Sequence, residues 1–375
     1  MRVCYFGTYR ADYARNVKMI AGLRLAGVEV VTCHVPLWRD TAERVRLASG
    51  GWANPATWLR MLRAYWQLWR LHSRLPPYDV MVVGYPGHLD VFVARLLSRR
   101  RQKPLVWDVL MSMYLIALDR GVGSKSPLSL RLLHAIEQRA CRLPDRLIID
   151  TPEYVDWLTR TYRLPVDRFR LVPLGVDDSL FTAAVSQPAK SGPFRVVYHG
   201  TFIPNHGVPT IVRAAEFLRA EEGLVFQLIG EGPDRAAAQA YALEHNLQQV
   251  EFIEWMEGAA LVEALARADV CLGAFGYTVQ SLITVHNKIY EGMALARPVI
   301  TGDSPAVQRA FRAGHEICLV PREDPRALAD AIQRLRADPG LRARIAEGGR
   351  RVVGERYTLP IIGEMFAGLL REVVG

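Results

Sequence analysis

The sequence predicts an α/β protein built from two Rossmann-like domains, and three observations carry that expectation. The chain has 375 residues, enough for two domains of ordinary size, each burying its own core. In both halves, apolar runs of strand length alternate with helical patterns, the signature of parallel sheets with covering helices. Between the halves, residues 183–193 (Ala-Ala-Val-Ser-Gln-Pro-Ala-Lys-Ser-Gly-Pro) have linker composition. The expected division is 1–182, 194–357 and a terminal helical segment, 358–375.

In the first half, residues 2–6 read as a strand, 7–10 as a turn, 13–26 as a helix and 28–33 as a second strand. Open α/β sheets bind ligands at the carboxyl ends of their strands. Gly7, Thr8, Arg15 and Asn16 are therefore binding candidates, with a turn and a solvated helix start as the plainer reading. Further strands are expected at 78–84, 105–107, 146–149 and 169–172, with helices at 89–97, 128–142 and 153–161. Asp108 follows one of these strands and brings a carboxylate to the ligand end of the sheet.

Residues 52–74 stand apart because Trp52, Trp58, Trp66 and Trp69 fall within them. On a helical wheel Trp58, Leu62, Tyr65, Trp66 and Trp69 share one face, and Arg60, Arg63, Gln67, Arg70 and Arg74 share another. A Trp face backed by Arg alone fits a helix lying on an anionic bilayer. The rival reading packs that face on the sheet and points the arginines to water.

The second half repeats the alternation, with strands at 194–198, 225–229, 250–253 and 269–275 and helices at 209–218, 234–244 and 258–268. Gly230-Glu-Gly232-Pro forms a tight loop after one strand. The stretch from Ser281 to Gly302 concentrates the chemistry. After a loop at 276–280 comes a turn bearing Thr284, His286 and Asn287. A short helix runs from there through Ala296, and Pro298 ends it. A strand, a loop and a helix N-terminus make an anion site from free N–H groups and the helix dipole. Lys288 adds a positive charge in the first turn, where the dipole disfavours it, which points to a compensating anion. Glu291, one turn on, offers a carboxylate to two hydroxyls. Together they suggest a pyrophosphate clamp beside a diol, although a Lys and a Glu on a short helix are also an ordinary solvated face. Helices are expected at 326–336, 341–352 and 359–373.

The net charge of +9 is uneven: residues 1–182 hold 27 Lys/Arg against 16 Asp/Glu, and the remainder 20 against 22. The first half is thus suited to an anionic partner. No apolar run approaches a membrane span, and the N-terminus reads as a strand, not a signal peptide. Cys4, Cys33, Cys141, Cys271 and Cys318 sit in apolar contexts without CxxC spacing, as buried reduced thiols do, which suggests a cytoplasmic protein without a zinc site.

Five segments in this order carry a resemblance: Tyr198-His-Gly-Thr-Phe-Ile-Pro-Asn-His-Gly207, Leu228-Ile-Gly-Glu-Gly-Pro-Asp234, Ala268-Asp-Val-Cys-Leu272, Asn287-Lys-Ile-Tyr-Glu-Gly-Met-Ala294 and Arg297-Pro-Val-Ile-Thr-Gly-Asp303. Over nearly its whole length the chain resembles the GT-B-fold glycosyltransferases of family 4, retaining enzymes that use nucleotide-diphosphate sugars. The resemblance implies two domains facing across a cleft, the nucleotide on the second and the acceptor on the first. It also implies a last helix that crosses back to the first domain. Glu291 matches the family's ribose-binding acid. The family's other acid, eight residues earlier, is Ile283 here, and its Arg and Lys phosphate ligands are Thr201 and His206. Where the family often has an imidazole, Trp107-Asp108 stands.

The implied reaction is retaining transfer of a sugar to a hydroxyl acceptor, a lipid-linked or cell-surface glycan precursor. Asp108, Lys288 and His206 are the catalytic candidates, with Gly200, Thr201, Gly230, Gly232, Thr284, His286, Asn287 and Glu291 around the donor. No metal cofactor is expected, because no convincing Asp-x-Asp loop occurs, and the Trp face argues against a nucleic-acid partner. The expected setting is peripheral, on the inner face of the cell membrane. A nucleotide-sugar epimerase and a catalytically lapsed nucleotide-binding subunit are the rival readings.

Overall fold

A computed structural model describes residues 1–37, 55–181 and 192–375. Trp52 and all of the expected linker except Gly192 and Pro193 lie outside the described residues. The chain forms two compact units, Met1–Pro173 with Leu359–Gly375, and Leu174–Thr358.

In the first unit the elements are β1 (Arg2–Gly7), α1 (Ala14–Leu25), β2 (Glu29–His34), α2 (Pro55–Ser73), β3 (Val80–Val83), α3 (Asp90–Arg100), β4 (Leu105–Asp108), α4 (Met113–Asp119), α5 (Val122–Lys125), α6 (Pro127–Arg142), β5 (Arg146–Ile149), α7 (Pro152–Tyr162) and β6 (Phe169–Leu171). All strands are parallel, in the order β2-β1-β3-β4-β5-β6. Val-Met-Val-Val in β3 and Leu-Val-Trp-Asp in β4 are buried throughout, as strands covered by helices on both faces must be.

The second unit holds α8 (Asp178–Phe181), β7 (Phe194–His199), α9 (Val208–Phe217), β8 (Leu224–Ile229), α10 (Arg235–Glu244), β9 (Val250–Ile253), α11 (Gly258–Ala266), β10 (Val270–Leu272), α12 (Val279–Ile283), α13 (Asn287–Ala294), β11 (Val299–Gly302), α14 (Pro305–Ala310), β12 (Cys318–Val320), α15 (Pro325–Ala337) and α16 (Pro339–Arg356). Its parallel sheet runs β12-β11-β10-β7-β8-β9. The chain passes to this unit at Leu174, earlier than the expected 182. Val176 N–H donates to the Tyr357 carbonyl at 2.8 Å and bridges to Thr358, which ties the segment to the second unit.

The last helix, α17 (Leu359–Val374), belongs to the first unit. Ile362, Phe366, Ala367 and Leu370 join Met19 and Leu23 of α1 in one core, each large side chain contributing about 1.5–3 kcal/mol of burial. The two helices meet at glycines: a Cβ on Gly22 would stand 2.9 Å from Gly363 Cα, and one on Gly363 would run into the Gly22 carbonyl.

Helix α2 buries Met61, Ala64, Leu68 and His72 against the unit and leaves Trp58, Leu62, Trp66 and Trp69 exposed. The wheel places Tyr65 with the tryptophans, but its hydroxyl turns inward and donates to Asp90 Oδ1 at 3.0 Å. The Arg70 guanidinium lies 4.7 Å from the Trp66 ring centroid, and Arg100 lies 4.3 Å from that of Trp69. The five cysteines are buried free thiols. Among the described residues no helix is long and apolar enough to cross a membrane.

Candidate functional site

In the second sheet, strand order reverses between β7 and β10, and ligands bind beyond the carboxyl ends of strands at such a switch point. Strand β7 ends in Tyr198-His199 and leads into Gly200, at φ +129°. A Cβ here would need a rare backbone conformation and would come within 2.9 Å of Lys288 Nζ, so glycine is required. Gly230 and Gly232 let the loop after β8 run against Gly200 and Phe202, whose N–H donates to the Glu231 carbonyl at 2.8 Å. Their part is this close backbone approach. His206 ends a short 3₁₀ turn, and its carbonyl accepts from Phe275 N–H beyond β10 at 2.9 Å.

Helix α13 starts at this junction without a side-chain cap and without an acid in its first turn. Lys288, only 4% exposed, holds Nζ 4.1 Å from the Tyr198 ring centroid and 3.4 Å from His206 Nδ1. Burial pushes the Lys288 ammonium down to about 7, against the pull of Glu291. Burial and then the Lys288 charge push both His206 and His286 well below the usual imidazole range. The two rings meet edge to face at 5.2 Å. His199 Nε2 stands 2.7 Å from Glu291 Oε2, so that nitrogen carries a proton and donates to the carboxylate.

Three buried polar atoms here, His199 Nδ1, Thr284 Oγ1 and His286 Nδ1, have no hydrogen-bond partner among the described residues. Unmet polar atoms and crowded basic groups cost free energy, and a polar anionic ligand relieves both. The structure thus brings together Gly200, Thr201, His206, Thr284, His286, Asn287, Lys288 and Glu291.

Two participants are absent from the sequence-based candidates. His199 occupies the last position of β7, where a side chain reaches the ligand end of a sheet. Arg322 donates to the carbonyls of Asp303, Gly276, Ser281 and Gly302 at 2.7, 2.7, 3.0 and 3.2 Å, pinning the loops after β10 and β11. No sequence signal marks it, because all these acceptors are backbone. Short α12, where a loop is expected, is closed by a capping box between Thr278 and Ser281.

The first-unit candidates are spent internally. Asp108 has no exposed surface, and its oxygens accept from Arg15 Nε and Nη2 at 2.8 and 3.0 Å. Arg15 Nη1 donates to the carbonyls of Val172 and Pro173, both at 2.9 Å. That geometry makes Asp108 and Arg15 a strut across the sheet and leaves the expected catalytic carboxylate without reactive surface. Asn16 bonds Tyr5, Arg10 and Tyr85. Thr8 donates twice to Asp90, and a Cβ on Gly7 would crowd that same carboxylate. Asp150, at the end of β5, is different: burial pushes its carboxyl up to about 7, against the Arg15 charge. Among the described residues no group of three or more His, Cys, Asp or Glu is placed to hold a metal.

Residues 14–175 match the family model "Glycosyl transferase 4-like domain", and residues 193–338 match "Glycosyl transferases group 1". The chain is 26% identical over 330 residues to an alpha-D-kanosaminyltransferase of Streptomyces kanamyceticus, covering 82% of this chain and 81% of that protein. It is 27% identical over 307 residues to a D-inositol 3-phosphate glycosyltransferase of Acidothermus cellulolyticus, covering 70% and 67%. Sucrose-phosphate synthase from Thermosynechococcus elongatus shares the fold at TM-score 0.76 and 19% identity, over 99% of this chain and 98% of that one. Anabaena HepE, solved with UDP-glucose, does so at TM-score 0.72 and 15% identity, over 99% and 100%.

Proposed function

The chain belongs to the group 1 glycosyl transferases of the GT-B fold, and from that premise we propose that it moves a sugar from a nucleotide-diphosphate sugar to a hydroxyl acceptor with retention of configuration. One observation carries the reading: buried Lys288, set over Tyr198 beside His206, lies at the switch point among orphaned polar atoms. A structural neighbour solved with UDP-glucose supports the donor class.

In this reading the donor's diphosphate lies against Gly200, Thr201 and the start of α13. Lys288 and the helix dipole stabilise the charge that develops as the sugar departs. Glu291, held by His199, takes the ribose hydroxyls. The acceptor hydroxyl attacks from the face the diphosphate leaves, and its proton passes to the departing phosphate oxygen. The protein supplies the positive charge, so the reaction needs no metal and a chelator leaves turnover unchanged.

The acceptor is a lipid-linked or cell-surface glycan precursor, brought to the first unit at an anionic membrane surface. The exposed tryptophans of α2 beside Arg63, Arg70 and Arg74 support this. Incubation with UDP-, GDP- and TDP-glucose followed by proton NMR tests the reaction. An α-donor should give an α-configured first product, on water or on an added acceptor. A β product overturns retention. Conversion of donor without transfer marks an epimerase, and binding without turnover marks a lapsed subunit, which Ile283 and His206 at the family's acid and lysine positions would suit.

A further inference from the structure

The positive charge of this phosphate site is carried largely by groups that can lose it. His206 from the turn after β7, His286 from the turn before α13 and Lys288 from its first turn pack together, with Tyr198 beneath Lys288. Arg322 adds a positive charge facing His286, and His199 faces His206. Glu291 is the carboxylate facing Lys288, and it is also bound to His199. So many basic groups in a buried space do not all stay protonated without an anion.

The proton positions follow from the partners. His206 Nδ1 lies 2.5 Å from the Thr201 carbonyl oxygen, which only accepts, so Nδ1 carries the proton of the neutral ring. Among the described residues the polar contacts of this ring all fall on Nδ1, leaving Nε2 as the nitrogen that gains a proton. Once protonated, Nε2–H is a charge-assisted donor to a phosphate oxygen.

We propose that donor binding in this site is coupled to proton uptake, His206 Nε2 and Lys288 Nζ becoming protonated as the diphosphate arrives. The proposal rests on the donor reading of the site given above. Lys288, at about 7 without ligand, takes up its proton from neutrality upward as the diphosphate raises its proton affinity. His206, neutral without ligand because burial and Lys288 hold it well below the imidazole range, takes up its proton below the value it acquires in the complex. Both signs agree: affinity falls as pH rises. Each full proton makes this roughly tenfold per pH unit by linkage.

Calorimetry with UDP-, GDP- and TDP-glucose tests this, because the phosphates of these diesters do not titrate near neutrality. Titrations at pH 7.5 in buffers of different ionisation enthalpy should give apparent enthalpies that differ by the number of protons taken up times the difference in buffer ionisation enthalpy. Affinity should fall steadily from pH 6.5 to 9. His206→Asn, whose side-chain amide can still donate to the Thr201 carbonyl, should bind with a smaller uptake and a shallower slope. A nucleotide sugar that binds with buffer-independent enthalpy and flat affinity overturns the proposal while leaving the donor reading standing. Absence of binding at every pH overturns both.

Discussion

Lys288 is destabilising until a ligand arrives. Its folded-state value of about 7 lies below the ordinary 10.5, so the unfolded chain binds the proton more tightly. That cost is fully present below pH 7 and fades as pH rises towards 10.5. Lys288→Met should therefore raise the ligand-free Tm, more at pH 6.5 than at pH 9.5. A variant less stable at both pH values would mean the ammonium is satisfied in the fold. Asp108 is expected to behave in the opposite way. Asp108→Asn leaves Arg15 buried without its counter-charge, and breaking such a pair costs about 3–5 kcal/mol, which urea denaturation would read. Undiminished stability with lost turnover would return Asp108 to catalysis. At this scale the sequence makes Gly200, Lys288 and Glu291 legible, because strand end, loop and helix start lie in short patterns. It does not show that Thr8, Arg15 and Asn16 are consumed internally. Their partners, Asp90, Asp108, Val172 and Tyr85, come from distant segments.

Helix α2 shows what periodicity can and cannot reveal. Its length and the Trp–Arg mixture are legible, but it has two apolar stripes, and the wheel marks only the exposed Trp stripe and not the one that fills the core. The smaller Met61-Ala64-Leu68 stripe fits against the unit, while Trp66 stays 59% exposed and Leu62 65%. If this face rests on an anionic bilayer, each basic residue there contributes about 1 kcal/mol. Wild-type protein should float with anionic vesicles at low salt, and Arg63/Arg70/Arg74→Glu should sink. Wild type that stays in the soluble fraction rules the surface out. Helix α17 makes a separate test of packing. Gly363→Val places two methyls where α1 backbone lies and should lower stability by about 1–3 kcal/mol through overpacking; a neutral effect would mean the helices can part at that crossing. Short elements escaped the sequence for lack of period: α4, α12 and β12 have seven, five and three residues, and local caps such as Ser112 accepting from Leu115 N–H at 3.0 Å define them.

Across the whole molecule, the doubled strand–helix alternation was enough to place two parallel sheets, since each buried strand is a nearly continuous apolar run. Strand order and the early passage at Leu174 were not legible, because they depend on pairings such as Val176 with Thr358. The return of α17 to the first unit was legible through the family resemblance. Donor binding by the second unit is the claim on which the function rests, and it is most directly tested by thermal shift with UDP-, GDP- and TDP-glucose on wild type, Lys288→Met and Glu291→Ala. At 100 times its dissociation constant, the correct donor should stabilise wild type by about 2.7 kcal/mol, Glu291→Ala distinctly less at that concentration, and Lys288→Met hardly at all. Equal stabilisation of all three proteins, or none of wild type by any of the three sugars, would contradict a donor site at Lys288 and Glu291.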